Sequence, residues 1–232
     1  MENLITYILA AMLSWVPVRN LTPYGESEDQ ASARLRSIAE DIVTVAFDAS
    51  EPSVFARSDG RVKTALLHAA IASKETGFQK FVDDGSCNQT AYVAHADRRG
   101  NCDGGYAFSL WQIHVSGGGY ILLEDGTLTS KMYASPSVLA SHTLIGGSEL
   151  VADRKTAIRV AQRIERDSLK YHGSLCAYSG ESCMEDKHPK AKARLDRAVD
   201  YYASHPFTDA IPQAIVVSVN ANANPAQTAT ND

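Results

Sequence analysis

The 232-residue sequence lacks the features that mark several specialised classes of protein. It has 22 lysines and arginines against 27 acidic residues, a formal net charge of -5 and no basic stripe, which argues against a nucleic-acid partner. It contains no internal repeat, no C-x-x-C pair and no H-E-x-x-H motif among its seven histidines. We therefore expect no metal and no cofactor, and we expect most histidines on the surface or at helix ends.

What the sequence does have is the composition of a globular protein and a helical periodicity. Hydrophobic residues make up 44% and charged residues 21% of the chain. Apolar residues recur at helical spacing in four segments. These segments are 27–47 with Ser27 as N-cap, 60–75, 153–170 with Asp153 as N-cap, and 189–203 with Leu195, Ala198, Val199 and Tyr202 inward. The pattern predicts a mainly α (α+β) fold.

The β contribution is expected to be small. Tyr120 to Leu123, followed by the turn residues Glu124-Asp125-Gly126, predicts a short hairpin or lid. The segment 79–107 is rich in loop-forming residues, and Phe108 to His114 is predicted to begin a helix or a turn. The triple glycine 117–119 predicts a flexible loop.

The two ends of the chain differ from its middle. Residues 4–18 are apolar and uncharged, too short for a comfortable transmembrane helix, and suit either a packed helix or an export or membrane-docking segment. Residues 208–232 are rich in Ala, Asn, Thr and Pro; we expect 219–232 to be disordered, whereas 211–219 could add a strand to a partner. The expected division is an N-terminal segment and linker at 1–26, a main domain at 27–207 and a tail at 208–232.

The four cysteines form two sequence-local pairs in loops, Cys87 with Cys102 and Cys176 with Cys183. Four cysteines allow three connectivities, and short loops favour these two bridges. Zinc ligation and free thiols are the alternatives. Because loop-local pairs favour disulfides, we expect the protein to work in an oxidising compartment outside the cytoplasm. No clear signal sequence precedes these cysteines.

The most informative residue is Glu75, at the end of the predicted helix 60–75. Gly77 is expected to stop that helix, which leaves the carboxylate between core and solvent. Partial burial would raise its pKa, as a glycosidase general acid requires. A surface glutamate in a last helical turn would look the same in sequence, so Glu75 alone is weak evidence of function.

Three motifs in order strengthen the case: Glu75-Thr76-Gly77-Phe78, then Ser109-Leu110-Trp111-Gln112-Ile113, then Ala177-Tyr178-Ser179-Gly180. Over roughly residues 60–205 this order resembles the lysozyme-like superfamily, nearest to soluble lytic transglycosylases and goose-type lysozymes. The sequence departs from the family pattern at Thr76, at Ser109 in place of Gly, and at Ser179-Gly180, where an Asn is missing.

The resemblance implies a lysozyme-like catalytic domain that cleaves the β-1,4 bond between N-acetylmuramic acid and N-acetylglucosamine in peptidoglycan glycan strands. It implies Glu75 as general acid and base, substrate contacts from Ser109, Trp111 and Gln112, and a hydroxyl of Tyr178 near Glu75. Leu110 and Ile113 fit better as core, and Trp111 fits either core packing or a sugar contact. Ala107 stands where chicken-type lysozymes carry a second carboxylate, which favours a one-carboxylate transglycosylase; Asp97 and Asp103 lie nearby in a loop.

Three other functions remain open from sequence: a hydrolytic muramidase, a cysteine amidase or peptidase using Cys102 with His172 or His188, and a non-catalytic glycan-binding or structural module. The unusual ends would suit a component of a virion or a secretion machine. Partners of that kind would bind through the N-terminal segment or the tail.

Overall fold

The computed structural model describes residues 1–88, 102–115, 118–123 and 127–215. This part of the chain is mainly helical with two small antiparallel sheets, as the sequence predicts. The helices are α1 Glu2–Trp15, α2 Glu28–Ala46, α3 Gly60–Glu75, α4 Lys80–Asp83, α5 Cys102–Gly105, α6 Pro136–Ser141, α7 Gly147–Ala152, α8 Arg154–His172 and α9 Pro189–Ser204. The strands are β1 Ala107–Phe108, β2 Ile113–His114, β3 Tyr120–Leu122, β4 Leu128–Ser130 and β5 Leu144–Ile145.

Helix α3 lies at the centre of the molecule. Its residues are buried on all sides from Val62 to Ser73, except at Lys63, and it contacts α1, α2, α8 and α9. A helix that is apolar all round is stable only inside a core, because no face of it is suited to water. This placement carries the last residue of α3, Glu75, from the core outward to the surface.

The predicted helix ends are confirmed where a capping residue marks them. The Ser27 side chain accepts a hydrogen bond from the Gln30 backbone N–H, and Gln30 returns one to Ser27, which forms a capping box at the start of α2. The Asp153 side chain caps α8 by accepting hydrogen bonds from the Lys155 and Thr156 backbone N–H groups. Gly77 adopts φ +58° directly after α3, as a helix stop requires.

The N-terminal segment is a packed helix. Leu4, Ile8, Ala11 and Met12 of α1 are fully buried against α2 and α3. No helix in the described ranges has the length and apolar character needed to cross a membrane. Trp15 and Tyr7 of the same helix contact Tyr201 of α9 through ring edges.

The start of the tail also lies on the body of the protein. Phe207 contacts the Tyr7 ring, and Ile215 forms a parallel bridge with Asp48 through backbone hydrogen bonds to Phe47 and Ala49. Ile215 was expected as part of a strand for a partner; here it pairs within its own chain. The rest of that segment and the predicted disordered stretch 219–232 lie outside the described residues.

The structure corrects two local predictions. Residues 107–114 form the β1–β2 hairpin, with Phe108 opposite Ile113, so the helix option there is wrong and the turn option holds. In α9 only Ala191 and Ala198 are buried, and Val199 is 53% exposed because it lies beside that narrow stripe. The β3–β4 hairpin forms as predicted, with β5 added to its other edge; its turn, 124–126, lies outside the described residues.

Candidate functional site

Glu75 opens into a cleft of about 470 Å³, called here the Glu75 cleft. The cleft is lined by the end of α3, Asp103 of α5, Gln112 to His114 near β2, Tyr120 of β3, Ile164 of α8, residues 177–180 and Arg194 of α9. The other two sequence motifs therefore contribute residues to the same cleft as Glu75. Concave sites with a few convergent polar groups are the usual form of a ligand site.

The backbone after Glu75 is fixed by hydrogen bonds. Thr76 is buried, and its Oγ1 lies 2.9 Å from the Ala72 carbonyl and 3.3 Å from the Leu110 carbonyl, which joins the end of α3 to the β1–β2 turn. The carbonyl of Phe78 accepts a hydrogen bond from Arg34, which is itself paired with Glu26 and Asp83. The carboxylate therefore projects from an anchored turn rather than from a frayed helix end.

Arg194 is the direct partner of Glu75. Its Nε and Nη2 both lie 2.5 Å from Glu75 Oε1, and only 12% and 17% of the two side chains are exposed. A charge-assisted contact in this partly buried setting fixes the carboxylate more firmly than a surface ion pair would. Two carboxylate oxygens of Glu181 accept from the Lys190 and Ala191 backbone N–H groups, which anchors the start of the helix that carries Arg194.

Tyr178 lies in the cleft wall with a different partner from the one expected. Its hydroxyl donates to the Trp111 carbonyl rather than to Glu75. Burial, followed by the negative charges of Glu75 and Glu165, raises the pKa of Tyr178 well above its ordinary value. The phenol therefore stays protonated and ties residues 177–180 to the β1–β2 turn.

The motif around Gln112 contributes Gln112 and Ile113 to the lining of the cleft. Gln112 lines the cleft, and its Nε2 donates to the Ser109 carbonyl at 3.1 Å. Trp111 is fully buried and its indole N–H donates to the His68 carbonyl, which agrees with the core-packing alternative for this side chain. Ser109 is 3% exposed and its Oγ accepts a hydrogen bond from the Trp111 N–H, so this side chain contacts the β1–β2 turn.

A second carboxylate does line the Glu75 cleft. Asp103 Oδ2 lies 3.2 Å from His114 Nε2, and both side chains are more than half exposed. Ala107, at the position expected from chicken-type lysozymes, is buried and offers no carboxylate. The other sequence candidate, Asp97, lies outside the described residues. Asp103 was expected as a turn residue, and its φ of +50° fits that role as well.

Both predicted disulfides are formed, Cys87–Cys102 and Cys176–Cys183, and each lies next to residues that line the cleft. The first anchors α5 with Asp103; the second closes the loop that carries Tyr178. Cys102 thus has no thiolate to serve as a nucleophile.

His172 lies near the second disulfide, with ligand atoms within 4.8 Å, but disulfide sulfurs lack the thiolate charge that zinc requires. The two bridges favour an oxidising environment.

Among the described histidines, His68 is an exception to the expectation that most of them lie on the surface or at helix ends, and it forms a buried pair with Glu165. His68 Nδ1 lies 3.3 Å from Glu165 Oε1, and its Nε2 lies 3.0 Å from Gln162 Oε1, all without solvent exposure. Burial opposes the charged imidazolium, but the negative charge of Glu165, aided by the hydrogen bond with Gln162, outweighs it and raises the pKa of His68. His95 lies outside the described residues.

Sequence reasoning missed three groups of this site: Arg194, the Asp103–His114 contact and the His68–Glu165 pair. A signal existed for Arg194, because Ala191, Arg194 and Ala198 share the buried face of α9 at spacings of three and four. A charged residue on such a face requires a partner. No comparable signal marks Glu165, since α8 places polar residues on several faces.

Comparisons with protein-family models, with curated proteins and with solved structures found no match to this chain. The geometry of the site therefore carries the functional argument.

Proposed function

We propose that the Glu75 cleft cleaves the β-1,4 bond between N-acetylmuramic acid and N-acetylglucosamine in peptidoglycan, as a lytic transglycosylase of lysozyme-like fold. One observation carries the proposal: Glu75 ends a mostly buried helix and emerges in a polar cleft that residues of two further family-like motifs also line. A general acid needs such a position, in reach of substrate and partly shielded from water.

The reaction divides into two proton transfers at Glu75. The protonated carboxyl donates to the glycosidic oxygen as the C1–O bond breaks, which leaves an oxocarbenium-like centre. The resulting carboxylate then takes the proton of the muramyl C6 hydroxyl, whose oxygen bonds to C1 and closes a 1,6-anhydro ring. Arg194, 2.5 Å from Oε1, stabilises the carboxylate that exists between the two transfers.

A hydrolytic muramidase is the second candidate, and Asp103 favours it. This carboxylate lies in the same cleft as Glu75, and His114 holds it at 3.2 Å. A second carboxylate in the same cleft could activate water, as inverting glycosidases require. Transglycosylation remains the preferred reaction because Asp103 is exposed and sits in a left-handed turn, which needs no catalytic explanation.

The two disulfides fit a protein that works outside the cytoplasm, in the periplasm, in the medium or on a virion. The proposed substrate, peptidoglycan, is found there. Docking to virion or secretion-machine proteins through α1 or the tail stays part of the proposal, although α1 is mostly covered by α2 and α3.

Release of soluble muropeptides from purified sacculi tests the assignment. Glu75→Gln keeps the shape of the side chain but cannot donate the proton, and a general acid contributes about 10²–10⁴-fold to rate. Glu185→Gln, an exposed glutamate outside the cleft, is the matched control. We expect loss of release only in Glu75→Gln. Release at the wild-type rate by this folded variant would show that Glu75 is not the general acid. No release by the wild-type protein would favour a non-catalytic module.

A further inference from the structure

Three potential metal ligands lie together at the end of α8. They are the imidazole of His172, which is the last residue of that helix, and the sulfurs of Cys176 and Cys183. Their ligand atoms all lie within 4.8 Å of one another, and the described ranges contain no second such group. The disulfide occupies both sulfurs, so this cluster can bind a metal ion only when the bridge is reduced and the sulfurs are thiolates.

The backbone that carries the three ligands is fixed by contacts that do not involve sulfur. Gly173 adopts a left-handed conformation after α8, and its N–H donates to the Leu169 carbonyl. The Cys176 carbonyl accepts a hydrogen bond from the Glu181 N–H. The Glu181 carboxylate in turn accepts from two backbone N–H groups at the start of α9. Because breaking the S–S bond removes none of these contacts, both cysteines should stay near His172 in the reduced chain.

The side chains also suit a metal site at the protein surface. His172 is exposed and has no hydrogen-bond or ion-pair partner within the described residues, so its ring can turn toward the sulfurs without losing a contact. Cys176 is buried and Cys183 is partly exposed, which leaves one side open for an ion to enter. Thiolate and imidazole ligands are the set that tetrahedral Zn²⁺ takes in proteins.

The other disulfide provides an internal comparison. Cys87 and Cys102 are also bridged, but within the described residues they have no third ligand at a comparable distance. The two pairs therefore share their redox chemistry and differ in the neighbouring imidazole. A metal effect that follows His172 can be separated in this way from a general effect of free thiols.

We propose that His172, Cys176 and Cys183 form a zinc site in the reduced protein, which holds the loop between the two cysteines until oxidation replaces the metal by the disulfide. A newly made chain in a reducing compartment carries thiols, and binding of Zn²⁺ releases their protons. Residues 177–180 lie in this loop and line the Glu75 cleft, so the metal would keep that part of the cleft ordered before oxidation. The inference does not depend on the proposed glycan cleavage.

The exchange of metal for disulfide is balanced by an incoming disulfide, such as that of a thiol–disulfide oxidoreductase. The two zinc-bound thiolates give up two electrons and form the S–S bond of the protein. The incoming disulfide accepts these electrons, takes up two protons and leaves as two thiols. Zn²⁺ is released, because the sulfurs have lost the charge that bound it.

Cobalt binding to the full chain tests the site, since Co²⁺ takes the same ligands as Zn²⁺ and its bonds to thiolates absorb strongly in the near ultraviolet. The reduced chain is freed of reductant without air and titrated with Co²⁺, then with Zn²⁺. We expect one Co²⁺ per chain with the thiolate absorption, displaced by Zn²⁺, which accepts a tetrahedral site without a geometric penalty. The oxidised chain should give no such absorption.

His172→Ala should lower the affinity for Co²⁺ about 100-fold, since even the loss of a group that only supports a ligand costs 10–100-fold, roughly. His142→Ala is the matched control, because His142 follows α6 and lies outside the cluster. Equal affinity of His172→Ala and the wild-type chain would overturn the site, as would the absence of thiolate absorption in the reduced wild-type chain.

The cysteine pairs are compared in the same titration. Cys176→Ser with Cys183→Ser should abolish the thiolate absorption, whereas Cys87→Ser with Cys102→Ser should retain it. The reverse result would assign the metal to the other pair and refute this site. If the first double variant does not fold by circular dichroism, His172→Ala still decides, because the exposed imidazole has no contact within the described residues to lose.

Discussion

Arg194 of α9 holds Glu75 at the end of α3 through two nitrogens, each 2.5 Å from Oε1. The contact joins the last helix of the domain to the residue on which the proposed chemistry depends. One helical turn away, Arg197 of the same helix donates to the Ser73 hydroxyl at 2.7 Å. The two arginines therefore bind neighbouring points of α3, but only one of them reaches the cleft.

We expect Arg194→Ala to lower the rate of muropeptide release about 100-fold, because a catalytic group that loses its orientation costs about that factor. Arg194→Lys keeps the charge but not the planar pair of donors, so it should recover part of the rate. Arg197→Ala is the control for loss of packing between α9 and α3. Equal losses in the two alanine variants would show that helix packing, and not the Glu75 contact, explains the effect.

Asp103→Asn separates the two candidate reactions. A one-carboxylate transglycosylase has no essential task for Asp103, so the variant should release muropeptides at close to the wild-type rate. The amide can still contact His114. A hydrolase that uses Asp103 to activate water should lose several orders of magnitude instead. Such a loss of rate, in a variant with unchanged circular dichroism, would show that the protein acts as a lysozyme and not as a transglycosylase.

The Cys176–Cys183 bridge should support both stability and the cleft. The cysteines are seven residues apart, and loop-closure entropy assigns a bridge of that length about 2–3 kcal/mol of stability. Changing both to serine should lower the free energy of unfolding by that amount and reduce muropeptide release, because Tyr178 lies inside the closed loop. The Cys87–Cys102 pair, changed in the same way, should cost similar stability without freeing Tyr178. Wild-type activity and stability in the first variant would contradict this role.

The buried His68–Glu165 pair predicts how stability depends on pH. Because the pKa of His68 is raised in the folded state, its stabilising contribution is fully present below about pH 6.5, the ordinary value for histidine. Above that pH the unfolded chain loses its proton first, and the contribution declines until the pH passes the raised folded value. Urea unfolding across this range should show the decline in wild-type protein and not in His68→Gln. The same decline in His68→Gln would contradict the assignment.

The long helices could be predicted from sequence because their signals are local. The Ser27 capping box, the glycine stop at Gly77 and the apolar spacing of α3 each act within a few residues, and α3 forms over the predicted residues. The disulfide pairing could also be predicted from a local signal, since each bridge joins cysteines of one loop.

The β1–β2 hairpin and the detail of the site could not be predicted in this way. Ser109 and Gln112 adopt φ of +63° and +47°, a conformation that sequence patterns assign to glycine. Arg194 meets Glu75 from 119 residues away, and Trp111 turns inward to the His68 carbonyl. Contacts of that range depend on the packing of α9, α3 and the hairpin together.

The mass of the released sugar ends tests the central claim most directly. Purified sacculi are digested with wild-type protein and with Glu75→Gln, and the soluble muropeptides are analysed by mass spectrometry. A transglycosylase acting through Glu75 leaves 1,6-anhydro ends, which are one water lighter than reducing ends, and the variant releases none above background. Reducing ends from the wild-type digest would show hydrolysis instead, and anhydro products at an equal rate from Glu75→Gln would contradict the assignment of the catalytic residue.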